Sequence, residues 1–332
     1  MDAQFPDAST LRAVLTLATR APSVHNTQPW RWRVGTASVD LFSAPDRQLH
    51  STDPDGRDLI ISCGVVLHHC AVALASMGWH ARVSRFPAPD DARHLATIKV
   101  QTQVPDQADI ALAAAIPRRR TDRRVYSSWP VPGGDVAQMA ARAARCGVML
   151  RQVDALDKMR SIVTQAVWTH ASDDGYIREL TTWSGRYGGM AGVPARNTPP
   201  SDRSAPIPGR LFAAPALAQP AGVAPADDGG VILALGTDND DRVSRLRAGE
   251  ATSAVLLTAT AMGLASCPIT EPLEIQSTRD AVRTDVFGDS GYPQMLLRVG
   301  WAPINADPLP ATPRRSLAQV VDWPRELLEE RG

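Results

Sequence analysis

Gly64-Val-Val-Leu-His-His-Cys-Ala-Val-Ala-Leu-Ala-Ser-Met-Gly78 can be laid on Gly249-Glu-Ala-Thr-Ser-Ala-Val-Leu-Leu-Thr-Ala-Thr-Ala-Met-Gly263 at a constant offset of 185 residues. The first stretch lies in a helix predicted from about Leu59 to Met77, the second in one from about Arg247 to Met262. The first helix is apolar on nearly every side, which puts it at the centre of a core and not on a surface. Each stretch ends in Met-Gly, and a glycine just past a helix end suits the left-handed C-cap. Two long buried helices in one frame point to a duplicated unit. Convergence is the competing explanation, because buried helices share a composition.

Toward the N-terminus, Leu11, Val14, Leu15 and Ala18 recur at i, i+3, i+4 and i+7 and predict a helix over about Thr10–Arg20, limited by Pro22. Trp30–Val34 and Val39–Phe42 read as short strands and Ser51–Asp58 as a polar, turn-rich stretch. Strands at Ala81–Phe86 and Ala96–Gln103 and a helix at about Asp106–Ile116 complete a first half, residues 1–116. The second half, 117–332, starts again with a basic run, a helix over Val136–Ala144, a strand over Met149–Val153 and a helical region over Leu156–Thr182 broken near Asp173–Gly175. From Met190 to Gly230 eight prolines and repeated Gly and Ala leave no sustained period. Loops of that length inside compact domains are functional covers or disordered segments. A strand at Val231–Gly236, a helix near Glu274–Phe287 and a strand at Gln294–Val299 close the pattern.

The 332 residues correspond to about two domain equivalents. Hydrophobic residues make up 44% and charged residues 21%, and 35 basic side chains cancel 35 acidic ones. That balance argues against disorder and against a general nucleic-acid or membrane-surface binder. No uninterrupted apolar run approaches the roughly 20 residues of a membrane span. Met1–Pro6 carries no basic region followed by an apolar stretch, so the expectation is a soluble cytoplasmic protein. Cys63, Cys70, Cys146 and Cys267 are scattered, with no redox or zinc spacing, and disulfides are not expected. His68, His69 and Cys70 would point in successive directions about 100° apart on a helix, which makes them ordinary helix residues and leaves no metal site.

Several motifs fail on inspection. No G-x-G-x-x-G follows a strand, and no phosphate-binding P-loop is present. Gly288-Asp-Ser-Gly291 resembles a serine nucleophile tetrapeptide but lacks a base and an oxyanion hole in its setting. Asp53-Pro-Asp55-Gly56 is a turn, since the twelfth position of a calcium loop would be Gly64 where a bidentate Glu is required.

Two segments survive. Ala21-Pro-Ser-Val-His-Asn-Thr-Gln-Pro-Trp30 places Ser, His, Asn and Gln side chains between two prolines, after a helix and before a strand. It is either a connecting loop whose polar groups satisfy the turn, or a rigid polar edge matching the donors and acceptors of a planar heterocycle. Arg118-Arg-Arg-Thr-Asp-Arg-Arg124 gathers five guanidinium groups around a hydroxyl. The alternatives are a solvated face and a site for one phosphate, which Arg forks bind bidentately. Arg314-Arg315, after Thr312-Pro313, is either a second phosphate contact or a solvated tail.

These segments, with Ser51-Thr-Asp-Pro-Asp-Gly-Arg57 and Gly263-Leu-Ala-Ser-Cys-Pro-Ile269, span the chain in the order that resembles the flavin-dependent nitroreductase superfamily, in particular its actinobacterial Acg-like FMN-binding branch. The resemblance implies an α+β nitroreductase fold with two fused nitroreductase-like halves forming an intrachain pseudo-dimer. One composite site would be complete and the other decayed, giving one FMN per chain. Arg119 and Thr121, with Arg315 and Arg314, would hold the ribityl phosphate. Arg123 would lie near flavin N1 and C2=O, where negative charge develops on reduction. Pro22, Ser23, His25, Asn26 and Gln28 would line the ring or ribityl chain, and Cys267, Pro268, Ile269 and Thr270 would present backbone groups to N5 and O4.

The implied activity is NAD(P)H-dependent reduction of nitro, quinone or related small oxidants, with the chemistry carried by the flavin. Two departures matter. Pro268-Ile-Thr-Glu-Pro272 lacks the usual glycine-rich approach and aromatic wall, and the stretch of about 190–230 falls where the branch carries a lid. A closed lid would make the chain a catalytically silent, FMN-sequestering protein instead. The fused chain is expected as a monomeric pseudo-dimer or a homodimer.

Overall fold

The computed structural model describes residues 5–186, 189–202, 204–219, 224, 227–288, 290–303 and 305–325. Met1–Gln4 of the N-terminal reading, parts of the 190–230 stretch and Asp289 of Gly288–Gly291 lie outside the described residues. The first half contains α1 (Ala8–Ala18), β1 (Trp30–Val34), β2 (Val39–Ser43), α2 (Arg57–Ser76), β3 (Trp79–Arg85), β4 (His94–Thr102) and α3 (Gln107–Ala115). Next come α4 (Gly133–Arg145), β5 (Met149–Gln152), α5 (Leu156–Ala171), α6 (Asp174–Trp183), β6 (Ser184–Arg186), β7 (Val193–Pro194) and β8 (Val231–Thr237). The remainder is α7 (Arg242–Ala261), β9 (Ala265–Ile269), α8 (Glu271–Glu274), α9 (Gln276–Val282), β10 (Tyr292–Gly300), α10 (Leu317–Val320) and β11 (Val321–Asp322). This is an α+β fold, as expected.

The strands form two main sheets. In one the order is β11-β1-β2-β4-β3 and in the other β5-β8-β10-β9. Apart from β11, which runs parallel to β1 from the far end of the chain, all pairings in both sheets are antiparallel. β1 shows why a strand forms here: Trp30, Trp32 and Val34 face the core while Arg31 and Arg33 face out.

Helices α2 and α7 cross between the sheets at their glycines. A Cβ built on Gly64 would lie 2.0 Å from the Leu246 carbonyl oxygen, and one built on Gly249 would lie 2.0 Å from that of Ile61. These two contacts exchange under the 185-residue offset, as expected of a self-complementary, two-fold-like contact. Gly78 and Gly263, the paired C-terminal glycines, both have φ +87. His68 and its counterpart Ser253 are hydrogen-bonded at 2.7 Å, and His69 Nδ1 also meets Ser253 at 2.8 Å. The histidines therefore tie the two helices together, as ordinary helix residues.

By length and composition α2 could cross a bilayer, but 78% of its most apolar window is buried inside the protein, which is the behaviour of a core helix.

Several element boundaries differ from the sequence reading for local reasons. α7 begins at Arg242, ahead of the predicted Arg247, because the Asp241 carboxylate accepts the Ser244 N–H at 2.7 Å and caps the helix there. The helix predicted over Glu274–Phe287 is instead α8, α9 and a π turn, separated where Ile275 is extended. The break at Asp173 is where expected, its side chain accepting from Gly175 and Tyr176 N–H groups. Inside the proline-rich stretch, Val193–Pro194 pairs parallel with β6, an element the periodicity did not reveal.

Candidate flavin-type site

A cavity lies between the α1–β1 loop, α2, the basic segment after α3, β9 and the described part of the 190–230 excursion. Twelve sequence-predicted residues line it: Pro22, Ser23, His25, Asn26, Arg119, Thr121, Arg123, Cys267, Pro268, Ile269, Thr270 and Arg314. Gln28 and Arg315 are not among its lining residues. Gln28 is fully buried as a clamp, its amide donating to the Met190 carbonyl at 2.8 Å and accepting from the Arg315 N–H at 2.8 Å. The Arg315 side chain turns away to the Gln319 carbonyl. Asn26 both lines the cavity and clamps, bonding Gly192 O, Pro313 O and the Arg314 guanidinium at 2.9, 3.1 and 3.0 Å.

The loop that carries these residues is conformationally costly. His25, Asn26 and Gln28 all have left-handed φ, at 44, 53 and 54°. Non-glycine residues in this region cost on the order of 1 kcal/mol each and persist only where the surroundings hold them. Here the clamps just described, together with Ser23, whose hydroxyl accepts the Gln28 N–H at 2.9 Å, supply that constraint.

The basic run divides into structural and cavity-facing arginines. Arg118 donates to the Ala114 carbonyl, Arg120 to the carbonyls of Pro117, Arg119 and Leu309, and Arg124 forms a 2.8 Å ion pair with Asp122. Arg119 and Arg123 remain at the cavity. An isolated parallel bridge between Thr121 and Ser266, with Asp122 N–H donating to Ser266 O at 3.0 Å, fixes the segment beside β9.

Arg119 and Arg314 form a cationic end of the cavity. Arg119 is 6% exposed and its side chain donates to Thr121 Oγ1 at 3.5 Å. The Nε atoms of both arginines have no partner among the described residues. Burial and neighbouring arginines push Arg119 down to about 10 and Arg314 down to about 9. Buried guanidinium groups without a counter-anion are unfavourable unless an anion enters, and the planar fork suits phosphate oxygens.

Elsewhere in the wall, Glu271 belongs to a buried polar cluster joined to the excursion by Arg210. This guanidinium donates to His25 Nε2 at 3.0 Å, Tyr176 OH at 2.6 Å and Thr270 Oγ1 at 3.0 Å, and it pairs with the fully buried Glu274. Glu271 accepts from His170 and Tyr176, whose rings stack at 3.8 Å. Phe212, two residues on, sits under the Arg123 guanidinium at 4.8 Å. It gives the cavity an aromatic side chain that the Pro268–Pro272 stretch lacks. Sequence reading missed Arg210 and Phe212; the available signal was an Arg-Leu-Phe triplet inside an otherwise small-residue, proline-rich stretch.

The family model described as the nitroreductase family matches residues 116–301, more than half of the chain. The chain belongs to the nitroreductase family. It is 75% identical over 331 residues to the Mycobacterium tuberculosis H37Rv protein named "Putative NAD(P)H nitroreductase Rv3131", covering 100% of this chain and 96% of that one. It is 37% identical over 323 residues to that species' "Putative NAD(P)H nitroreductase acg", covering 93% and 94%. Among solved structures, a protein named "putative nitroreductase" from Anabaena variabilis superposes with a TM-score of 0.51 at 9% identity, covering 91% of this chain and 90% of that chain. This likeness confirms a nitroreductase fold across nearly the whole chain. A Bacteroides fragilis nitroreductase with bound FMN also matches, with a TM-score of 0.39 at 15% identity, covering 59% of this chain and 90% of that one.

Proposed function

We propose that this member of the family is an FMN-binding reductase acting on nitro- or quinone-type small molecules with NAD(P)H as electron donor. The observation that carries the flavin reading is the pair of buried, unpartnered guanidinium Nε atoms of Arg119 and Arg314 at one end of a cavity lined by the polar Pro22–Asn26 loop. Those residues fit a phosphate-tailed heterocycle. Arg119, Arg314 and Thr121 would hold the phosphate, Ser23 and Asn26 the polar chain, and Arg123 would stabilise negative charge on the ring edge. FMN, when bound, supplies the two-electron chemistry, and the protein sets its access and charge environment.

The two halves are read as residues 1–116 and 117–332, fused as a pseudo-dimer after duplication. The matching strand orders and the reciprocal Gly64 and Gly249 contacts support this. One FMN per chain follows from what replaces the second site. Applying the 185-residue offset to the cavity-lining Val65 and Thr270 gives Glu250 and Arg85, and these form a two-armed ion pair with both bonds at 2.7 Å. Four free cysteines among the described residues suit the reducing cytoplasm in which NAD(P)H is made.

One observation favours a second reading, a flavin-sequestering protein. Pro199, Pro200, Ile207, Pro208 and Phe212 of the excursion line the cavity as a lid, and Arg210 anchors it to Glu274. Hydride transfer needs a nicotinamide in contact with the flavin, so this cover must open for turnover. The deciding experiment is an absorbance spectrum after FMN loading and desalting, followed by NAD(P)H oxidation with menadione or nitrofurazone. Retained flavin with stimulated oxidation supports the reductase. Retained, photoreducible flavin without oxidation supports sequestration, and colourless protein refutes both.

A further inference from the structure

His25 is a costly residue with one nitrogen left over. Its backbone is left-handed at φ 44 and ψ 23, and its ring is 6% exposed in the cavity wall. Its Nε2 lies 3.0 Å from an Arg210 guanidinium nitrogen. A guanidinium can only donate, so Nε2 is the acceptor, the ring is neutral and its proton sits on Nδ1. That Nδ1–H is shielded from water and has no partner among the described residues. Burial and the positive charges of Arg210 and Arg123 oppose a second proton, holding the imidazole well below its ordinary range. Backbone strain, desolvation and an unmade hydrogen bond bring the folded chain itself no return.

We propose that Arg210 is a positioning residue that holds His25 in its Nδ1–H tautomer. The imidazole then serves as a hydrogen-bond donor to a carbonyl oxygen or ring nitrogen of the heterocycle in the cavity, and does so only while the excursion is docked. Arg210 can set the tautomer because it is itself set: Tyr176, Thr270 and Glu274, on three separate points of the α6 and β9–α8 scaffold, fix its plane. Without that donor, nothing here prevents the proton from moving to Nε2. The identity of the acceptor rests on the flavin reading, whereas the tautomer does not.

Two measurements test this. In flavin-free chain labelled with 15N-histidine, a long-range proton–nitrogen correlation spectrum should show His25 with Nδ1 protonated and Nε2 unprotonated, assigned by its loss in His25→Ala. Arg210→Lys should preserve the pattern and Arg210→Met should mix or reverse it. An Nε2–H tautomer in the wild type, or no change in Arg210→Met, overturns the proposal, and the wild-type spectrum decides even if a variant misfolds. FMN dissociation constants, read by flavin fluorescence, should rise about tenfold in His25→Ala and in Arg210→Met. The double variant should be no weaker than Arg210→Met alone, because without Arg210 the imidazole is no longer held to make its bond. Multiplying losses overturn the coupling. If the wild type binds no FMN while showing the expected tautomer, the flavin reading fails and with it the donor role, but the tautomer assignment stands.

Discussion

Replacing Arg119 by methionine should stabilise the flavin-free chain and weaken its hold on FMN, two effects of opposite sign from one substitution. In the ligand-free fold the guanidinium is buried with no carboxylate partner among the described residues, and desolvation first, then repulsion by Arg120, Arg123 and Arg20, brings it down to about 10. At about 1.4 kcal/mol per pH unit, that depression corresponds to about 3 kcal/mol of unfavourable interaction. For a base whose folded pKa is depressed, the cost is fully present at pH 7 and fades only as pH rises through about 10 toward the range of a free arginine. Methionine keeps most of the apolar stem and removes the charge, so after local relaxation a gain of about 1–3 kcal/mol is expected. Urea unfolding of flavin-stripped wild type and variant at pH 7 measures it. FMN titration should show the reverse order, a loss of about 1.5–3 kcal/mol from a missing charged hydrogen bond. A flavin-free Arg119→Met less stable than wild type would mean that the guanidinium is a structural strut. An unchanged FMN dissociation constant would remove the phosphate from this end of the cavity.

Arg314→Met should weaken FMN binding about tenfold or more, whereas Arg315→Met should leave it within about twofold, because Arg315 points to Gln319 and not to the cavity; equal losses measured by fluorescence would contradict that division. Gly64→Ala and Gly249→Ala should each cost about 3 kcal/mol or more in urea unfolding, since each new Cβ would stand 2.0 Å from the opposing backbone oxygen; tolerance of either would mean that the helices do not cross there. Asp53 and Asp58 are buried near one another at the start of α2, raised to about 7 and about 6 by desolvation first. A carboxyl raised in the fold binds protons more readily folded than unfolded, so stability should fall as pH rises from about 4 to 7 and then level. Urea midpoints at pH 5.5 and 8 test this, with Asp53→Asn flattening the slope; a flat wild-type profile would refute it.

The residues that line the cavity were more legible in the sequence than those that enclose it. Pro22–Asn26, Arg119–Arg123 and Cys267–Thr270 are local motifs, each set by the residues flanking it, and the fold brings all three to one cavity. Gln28 has a left-handed backbone and its amide bonds Met190 and Arg315, partners 162 and 287 residues away that no local pattern announces. Arg314 and Arg315 are adjacent, and no periodicity says which one faces inward in an irregular tail. Arg210 was invisible for a different reason. Its partners lie 34, 60 and 64 residues away in the chain as well as 185 residues back at His25, so its role exists only once the excursion folds over the cavity.

The proposed fusion of two halves would explain how one composite site can close while the other stays open. In a symmetric pair of identical subunits, introducing a glutamate at the position of Val65 would alter both cavities at once. On the proposed duplication, each half changes alone: Val65 remains apolar at the open cavity, and its counterpart Glu250 is bound by Arg85 with the carboxylate 8% exposed. That pair occupies the place where the open side has Val65 and Thr270 facing the cavity. The flavin-to-chain ratio after loading and denaturation should therefore be near one. A ratio near two would show that the ion pair yields to flavin, and that asymmetry in the sequence had not become asymmetry in binding.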